Sequence, residues 1–205
     1  MWYQALNIGD HINEYAPQNK QHKQDFILTS SNEHYRLFAE INHAIHAQGE
    51  GLSSIQYKVK SPDTNSLIEN ALLTPSEVIH LQDVAKLIDN LMTFWLYNTL
   101  IFVLCMVFIY WKKVQPPPVK QQLTLFVIIV TASVALFSLL GFTTIFYWLH
   151  QVVFPDNHQW FFYYQDSLMS TLMKAPDLFA VIGVSIIFNA GIIFWACQKI
   201  LFKRV

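Results

Sequence analysis

The chain has 205 residues, of which 53% are hydrophobic and 13% are charged, and its formal net charge is -1 at pH 7. An ordinary soluble domain carries about 25% charged residues, so this composition excludes a protein that is soluble along its whole length. The near-neutral charge and the lack of a basic patch exclude nucleic acid as a partner. The two cysteines, Cys105 and Cys197, lie in apolar runs without a C-x-x-C pair, which excludes thiol redox chemistry.

Residues 1–73 combine strand-like and helix-like patterns, and we expect them to form a small α+β cap. The segments 26–29 and 55–60 resemble strands, and the second of them alternates apolar and polar side chains. Between them, apolar side chains recur at every fourth position within residues 32–48, which predicts a helix. The Gly49-Glu50-Gly51 segment is expected to end that helix.

Two histidines on this helix, His43 and His46, are three residues apart, a spacing that is compatible with metal binding. The nearest acidic candidates for a further ligand are Glu40 and Glu50, and no third ligand of the right type lies nearby in the sequence. We therefore expect a solvated helix face here and no metal site.

The next segment carries the signals of a helix start. Thr74 suits the N-cap, Pro75 the first helical position and Glu77 the third, which together form a capping box. The helix is expected to run on into the first apolar run, with His80 and Asp83 on one face because they are three residues apart. A carboxylate beside an imidazole fixes its tautomer and suits a general base. The alternative is a surface pair on a helix that projects into water.

Three apolar runs follow, at about 91–111, 123–149 and 178–202. Each is long enough to cross a bilayer, which takes roughly 20 apolar residues in a helix. The second run exceeds this length, so we expect it to tilt or to project beyond the membrane. The expected fold is a membrane α-helical bundle of three spans, residues 74–205, that carries the α+β cap, residues 1–73.

The positive charges orient these spans. The link 112–120 and the tail 199–204 contain lysine and arginine but no acidic residue, so the positive-inside rule places both in the cytoplasm. The loop 150–177 and residues 1–90 are then extracytoplasmic. Residues 1–17 show no signal-peptide pattern. Either the outward part crosses by N-tail translocation or a further membrane helix lies upstream, and we expect the second.

The outward loop begins with His150 and continues into five consecutive aromatic residues, 160–164. Residues 166–173 then predict a short helix with Asp166 at or near its N-terminus. The apolar face of this helix consists of Leu168, Met169, Leu172 and Met173. We expect that face to lie flat in the membrane interface, where it and the aromatic loop form a vestibule for acyl chains. The hydroxyl residues Ser167, Ser170 and Thr171 lack a G-x-S-x-G motif, so no serine hydrolase is predicted.

His80 and His150 are expected on the same side of the membrane, near the same depth. Ionisable groups at such depths are costly and mark functional sites by default. From His80 to Leu91 a continuous helix rises about 16 Å at ~1.5 Å per residue. The two histidines therefore meet only if the second helix also projects, or if the first one enters earlier or tilts strongly.

The blocks 73–86 and 149–166, with Leu168-Met169 and Phe179 after them, resemble the lipoprotein intramolecular transacylase family of small bacterial membrane proteins. The family pattern has a His-Met-x-Asp-Val-Lys block before one span, a second histidine that closes the following outward span, and a Trp-x-Phe and Asp-x-Leu-Ile loop. Here the first block reads His80-Leu81-Gln82-Asp83-Val84, and Lys86 follows one residue later than in the family. The resemblance covers roughly residues 72–200. The family usually has four spans, the first at the N-terminus.

This resemblance implies an acyltransferase whose substrate is a lipoprotein with a diacylglycerol thioether on its N-terminal cysteine. One acyl chain moves from the glycerol sn-2 ester to the α-amine of the same cysteine, which gives a lyso-form lipoprotein without a cofactor. The implied location is the bacterial inner membrane, with the active site at the extracytoplasmic face and the C-terminus in the cytoplasm. The expected partners are the diacylated lipoprotein and membrane lipid, and the protein is expected to be a monomer.

The resemblance also implies roles for individual residues. His80 and His150 become the catalytic pair: one is the general base on the attacking amine, and the other polarises the ester carbonyl or stabilises the oxyanion. Which histidine does which stays open. Asp83 is expected to orient His80, and Asp166 to support the loop. The side chains expected to line the substrate are Trp160, Phe161 and Leu168.

Other classes of function also fit the sequence. His80 and His150 would suit the paired axial ligands of a haem, or a quinone site, between spans. A non-catalytic membrane subunit would use its N-terminal part to bind a partner, and replacing both histidines would then change only assembly. Another lipid-acting membrane enzyme is the remaining alternative.

Overall fold

The structure of the chain is a computed structural model. It describes residues 24–60, 66–115, 117–163, 165–173 and 175–202. The described residues are mostly helical, with one two-stranded sheet. They form two compact units. The first unit contains the described residues up to Leu91 together with Asp156–Ser185, and the second contains Met92–Pro155 with the residues from Ile186 onward. The two units are described separately below.

The first α-helix of the first unit is α1 (Ser31–His46). The recurrence of apolar residues at every fourth position predicted this helix. Ser30 caps it, because its side chain accepts a hydrogen bond from the backbone N–H of Glu33. Strand β1 (Gln56–Lys60) was also predicted, and it pairs antiparallel with β2 (Leu67–Ala71), which the sequence did not single out.

The strand predicted at residues 26–29 is wrong, since Gln24–Leu28 forms a 3-10 helix. The backbone N–H and the hydroxyl of Thr29 both donate to the carbonyl oxygen of Phe26, at 3.1 and 2.6 Å, and so close a tight turn. The Phe26 ring is buried and stacks on His34 with ring centroids 4.7 Å apart. An apolar run of four residues does not by itself distinguish a strand from a buried turn.

The core of the first unit joins elements that are far apart in the sequence. Helix α1 contributes Leu37, Ile41 and Ile45, and β1 contributes Tyr57 and Val59. The members from later parts of the chain are Leu72, Leu73, Leu81, Ala85, Leu168, Met169 and Leu172. Each fully buried side chain of leucine size stabilises the fold by about 1.5–3 kcal/mol, so the core fixes the later segments against α1.

Helix α2 (Pro75–Lys112) starts where the sequence predicts, and its capping box is present. The carboxylate of Glu77 accepts hydrogen bonds from the backbone N–H and the hydroxyl of Thr74, at 2.6 and 2.8 Å. In return, the Glu77 backbone N–H lies 3.4 Å from the Thr74 hydroxyl. The helix has 38 residues and a length of about 57 Å at 1.5 Å per residue, so it continues from the first unit through the first predicted span.

Within the part of the chain that the structure describes, two helices are long and apolar enough to cross a membrane: α2, and the residues Lys120–Leu140 of helix α3 (Val119–Leu140). No part of the most apolar stretch of either helix is buried inside the protein. The core helix of a soluble domain, by contrast, is mostly buried. These helices indicate membrane association. Helix α6 (Ala175–Phe202) contains a shorter apolar stretch, Ile182–Cys197, and the three-span arrangement stays a prediction.

The second predicted span, 123–149, is divided in the structure. Helix α3 ends at Leu140, and helix α4 (Phe142–Val153) begins after Gly141. Gly141 has φ +76° and ψ 141°, a backbone conformation that glycine adopts readily and that other residues avoid. The sequence pattern stays apolar across this point, so hydrophobicity alone gave no sign of the break.

Helix α5 (Leu168–Met173) is present where a short helix was predicted. Its apolar face does not lie flat in a membrane interface as expected, because Leu168, Met169 and Leu172 are at most 6% exposed and belong to the core of the first unit. α5 packs against α1. The amphipathic pattern identified the buried face correctly but not the surface that covers it.

Candidate active site on helix α2 and the outward loop

The described residues of the segment 156–167 run along the N-terminal part of α2 in the opposite direction. This segment is called the outward loop below, after the membrane side that the sequence predicts for it. Three side-chain pairs join the two segments, and their order along the loop is the reverse of their order along the helix. In the order of the loop, the pairs are Asp83 with His158, His80 with Phe162, and Glu77 with Ser167. The helix residues of these pairs are three positions apart, so they share one face of α2.

The first pair is a hydrogen bond between an imidazole and a carboxylate. Nδ1 of His158 lies 2.5 Å from Oδ2 of Asp83. A carboxylate only accepts, so Nδ1 carries the proton and donates it, which fixes the tautomer and the orientation of the ring. Asp83 is only 8% exposed, and its other oxygen lies 3.6 Å from Nζ of Lys86. The carboxylate is thus largely buried, with a hydrogen bond on one oxygen and a longer ion pair on the other.

His158 is a candidate site residue that the sequence analysis did not single out. The sequence pattern assigned Asp83 to His80 on the same helix, whereas the partner that the structure shows for Asp83 is His158, 75 positions away. The only signal in the sequence was a histidine within the predicted extracytoplasmic loop 150–177, which begins with His150. The role of Asp83 towards His80 stays a prediction.

His80 is half-buried beside an aromatic side chain of the outward loop. Its ring centroid is 5.6 Å from that of Phe162, with the ring planes at 49°. Phe162 is partly buried and packs against the core of the first unit, and its carbonyl oxygen accepts from the Ser170 hydroxyl at 3.4 Å. The ring against His80 is therefore anchored by the core on one side and by the start of α5 on the other.

The third pair joins the starts of two helices through one buried carboxylate. Glu77 is 1% exposed, and the Ser167 hydroxyl donates to the carboxylate oxygen that does not serve Thr74. Ser167 in turn caps α5, because its hydroxyl oxygen accepts from the backbone N–H of Ser170 at 2.9 Å. A buried carboxylate needs such donors, and its position at the start of α2 is also favoured by the helix dipole. The arrangement gives Ser167 a structural role.

The aromatic residues of the outward loop differ in burial. Phe161 is 41% exposed and lies edge-to-face with Trp160 and Tyr163, at centroid distances of 6.2 and 4.9 Å. Phe162 turns to the protein, whereas Tyr163 is exposed. The result is an aromatic cluster on the outer side of the loop and a single anchored ring on its inner side.

The two remaining predicted site residues of this segment lie at the start of α5. Asp166 is exposed, and its backbone N–H donates to the carbonyl oxygen of Tyr163 at 3.1 Å in the turn before the helix. Leu168 is 2% exposed and belongs to the core.

His150 lies in the last turn of α4, in the second unit. Its Nδ1 is 2.8 Å from the carbonyl oxygen of Phe146. A carbonyl oxygen only accepts, so Nδ1 carries the proton and Nε2 is the proton acceptor of the neutral ring. The ring also packs on Phe146 and Phe154, with centroids 4.0 and 5.4 Å away. His80 belongs to the first unit, and the pairing of the two histidines stays a prediction.

Among the residues that the structure describes, no three His, Cys, Asp or Glu side chains form a group that could hold a metal ion. His46, one of the two histidines considered for metal binding, is exposed, and its Nδ1 donates to the carbonyl oxygen of Asn42 at 2.9 Å.

Two apolar helices of membrane length and a match to a known family define the class of this chain, a membrane-associated transacylase. The model of the family described as lipoprotein intramolecular transacylase Lit matches residues 49–175, more than half of the chain. The chain belongs to the lipoprotein intramolecular transacylase family, as the sequence motifs suggested. The matched segment contains both His80 and His150 and all three pairs between α2 and the outward loop. No curated protein and no solved structure matches the chain.

Proposed function

We propose that this chain moves an acyl chain from the sn-2 ester of a diacylglyceryl-cysteine lipoprotein to the α-amine of the same cysteine, which gives the lyso-form lipoprotein. The observation that carries the proposal is the family match over residues 49–175, which includes both histidines. The amine nitrogen attacks the ester carbonyl, a C–N bond forms and the C–O bond to glycerol breaks. The proton lost by the amine ends on the glycerol oxygen, so no co-reactant is consumed.

His150 is the general base in this proposal, and His80 polarises the ester carbonyl. The hydrogen bond from Nδ1 of His150 to the Phe146 carbonyl supports the first assignment, because it fixes the tautomer in which Nε2 carries the lone pair that a general base uses. His80 is half-buried beside Phe162. A donor in such a partly apolar setting stabilises the developing oxyanion more than a donor in water does.

Proximity makes the largest contribution to such an intramolecular reaction. Holding two reacting groups of one molecule in the attack geometry is worth about 7–11 kcal/mol of the barrier. Trp160 and the exposed Phe161 are proposed to hold the lipid in its folded shape. The burial of Leu168 supports a packing role for it, and Asp166 is proposed to support the turn before α5.

The proposed setting is the bacterial inner membrane, with α2, α3 and α6 as spans and the outward loop on the extracytoplasmic face. The lysine-rich link 112–120 supports this orientation, since positively charged links stay in the cytoplasm. In this orientation the N-terminal cysteine of a membrane-anchored lipoprotein is on the same side as the loop.

Mass spectrometry of the N-terminal lipopeptide of a reporter lipoprotein tests the function. The full chain is co-expressed with the reporter in a host without its own N-acylation, beside His80→Ala and His150→Ala variants. We expect one acyl chain on the cysteine nitrogen with wild type and a diacylglyceryl form with a free amine in both variants. His43→Ala is the matched control, because His43 is an exposed histidine on α1. A well-expressed wild-type chain that leaves the reporter unchanged would overturn the proposal.

A further inference from the structure

The outward loop is held on α2 at two points, and the ring of Phe162 lies between them. At one end Ser167 bonds to Glu77 inside the protein, and at the other end His158 bonds to Asp83. The Ser167 end is continuous with α5 and therefore with the core. The end at His158 has no such neighbour in the sequence, since it follows the irregular segment after Val153. Its attachment to α2 depends on side chains.

The position of Phe162 depends on that attachment as well as on its packing against the core and on the hydrogen bond from Ser170. His80 precedes Asp83 by three residues on α2, a rise of about 4.5 Å, and Phe162 follows His158 by four residues in the loop. The bond between Asp83 and His158 is therefore about one helical turn from the contact between His80 and Phe162. Fixing the loop at the first point restricts where the ring can lie at the second.

We propose that His158 is a positioning residue of the active site: bonded to Asp83, it holds the outward loop so that Phe162 stays against the ring of His80. The inference rests on the function proposed above, because that function gives His80 its role in acyl transfer. His158 acts through the loop, and its effect reaches the reaction through the environment and orientation of His80.

The burial of Asp83 explains why the loss of His158 would matter. Asp83 is 8% exposed, and its other ion pair is a longer one with the well-exposed Lys86. A buried carboxylate that loses a hydrogen-bond donor bears a desolvation cost. Water must then reach Asp83, which requires the loop to move away from the helix at this point and to carry Phe162 with it.

Two substitutions separate positioning from proton transfer. His158→Ala removes the bond to Asp83. His158→Asn keeps an N–H donor near the place of Nδ1 but cannot exchange a proton at neutral pH. Asn157→Ala is the matched control, because Asn157 is the exposed neighbour in the same loop. Circular dichroism of each purified full chain establishes that the total helix content is retained.

The first readout is the rate at which diethyl pyrocarbonate modifies His80 in the full chain in detergent, followed by peptide mass spectrometry. We expect His158→Ala to raise this rate several-fold, since Phe162 no longer covers the ring, and His158→Asn and Asn157→Ala to keep the wild-type rate. An unchanged rate in His158→Ala overturns the proposal. This readout does not depend on catalysis, so it stands even if the chain does not transfer acyl groups.

The second readout is the rate of acyl transfer to the reporter lipoprotein. Because misplacement of a catalytic group by about 1 Å can cost up to ~100-fold in rate, we expect a loss of about 10- to 100-fold for His158→Ala and a large recovery for His158→Asn. If both variants are inactive while His80 is modified at the wild-type rate, His158 exchanges a proton itself and the positioning role is wrong. If the wild-type chain transfers no acyl group, the proposed function is contradicted. The rate at which His80 is modified then tests the position of the loop by itself.

Discussion

Nδ1 of His158 donates to Oδ2 of Asp83 across 2.5 Å, although the two residues are 75 positions apart in the chain. The bond joins a loop to a helix that starts in a small folded unit and continues as a candidate membrane span. Hydrogen bonds to charged groups are worth about 1.5–3 kcal/mol each. The stability of the loop on α2 therefore depends measurably on this pair.

A double-mutant cycle measures that dependence. We expect Asp83→Ala and His158→Ala each to lower the free energy of unfolding, and the double variant to lose little more than the worse single variant, because the two residues share one bond. The coupling energy should be about 0.5–3 kcal/mol, obtained from denaturant unfolding of the chain in micelles. Additive losses would mean that the two side chains act independently.

Glu77 is expected to be critical for stability because its carboxylate holds two helix starts together. In Glu77→Gln, the amide nitrogen must face one of the donors from Thr74 or Ser167, so one buried group loses its acceptor. We expect a loss of about 1–3 kcal/mol in thermal or denaturant unfolding. The exposed Glu50 provides the control: Glu50→Gln should leave the transition unchanged. Equal behaviour of the two variants would show that the Glu77 contacts contribute nothing.

The buried His34 gives the first unit a pH-dependent stability. Burial lowers the pKa of His34 below its ordinary value of 6.5, and the charge of Glu33 and the hydrogen bond to Phe26 oppose this shift without reversing it. Because the unfolded chain then binds the proton more readily, this contribution to stability is complete above pH 6.5 and is lost as the pH falls through the folded-state pKa.

Unfolding midpoints between about pH 8 and about pH 5 check this sign. His34→Gln keeps an N–H donor for Thr29 and should remove this part of the pH dependence. His43→Gln changes an exposed histidine on the same helix and should leave the pH dependence as in wild type. A wild-type midpoint that rises as the pH falls would contradict the assignment to His34.

Gly141 is expected to tolerate substitution poorly, and the reason is its backbone rather than its surroundings. A Cβ at this position would meet Thr144 Oγ1 only at 4.0 Å, but φ is +76°. We expect Gly141→Ala to destabilise the chain by about 1–3 kcal/mol, and Gly141→Asn to be no milder, because ψ of 141° lies outside the left-handed helical region that Asn tolerates. Gly183→Ala is the control, since Gly183 is helical and has nothing within 4 Å. Thermal unfolding in micelles should show a loss for both Gly141 variants and none for the control.

The sequence predicted the helices and strands whose formation depends on residues that are close together in the chain. The start of α2 followed from Thr74, Pro75 and Glu77, because a capping box needs only neighbouring residues. Helix α1 and strand β1 followed from the spacing of their apolar side chains. The family resemblance, based on the blocks around His80 and His150, was confirmed by the family match.

What the sequence did not predict depends on distant partners or on a single backbone angle. The bond between Asp83 and His158 requires the loop to return along α2, and no local pattern encodes that path. The packing of α5 was missed for the same reason, because an amphipathic face does not specify what covers it. The break at Gly141 was missed because the residues around it are as apolar as a continuous span would be.

The antiparallel pairing of loop and helix predicts an asymmetric response to insertions. The nine residues from His158 to Ser167 could reach about 30 Å if extended, whereas Glu77 and Asp83 are only about 9 Å apart along α2. The loop is therefore longer than the distance that it has to span, and it can accommodate an extra residue between His158 and Ser167. An extra residue between Glu77 and Asp83 rotates one contact about 100° away from the others. Among natural relatives, loop length should vary here more freely than helix length.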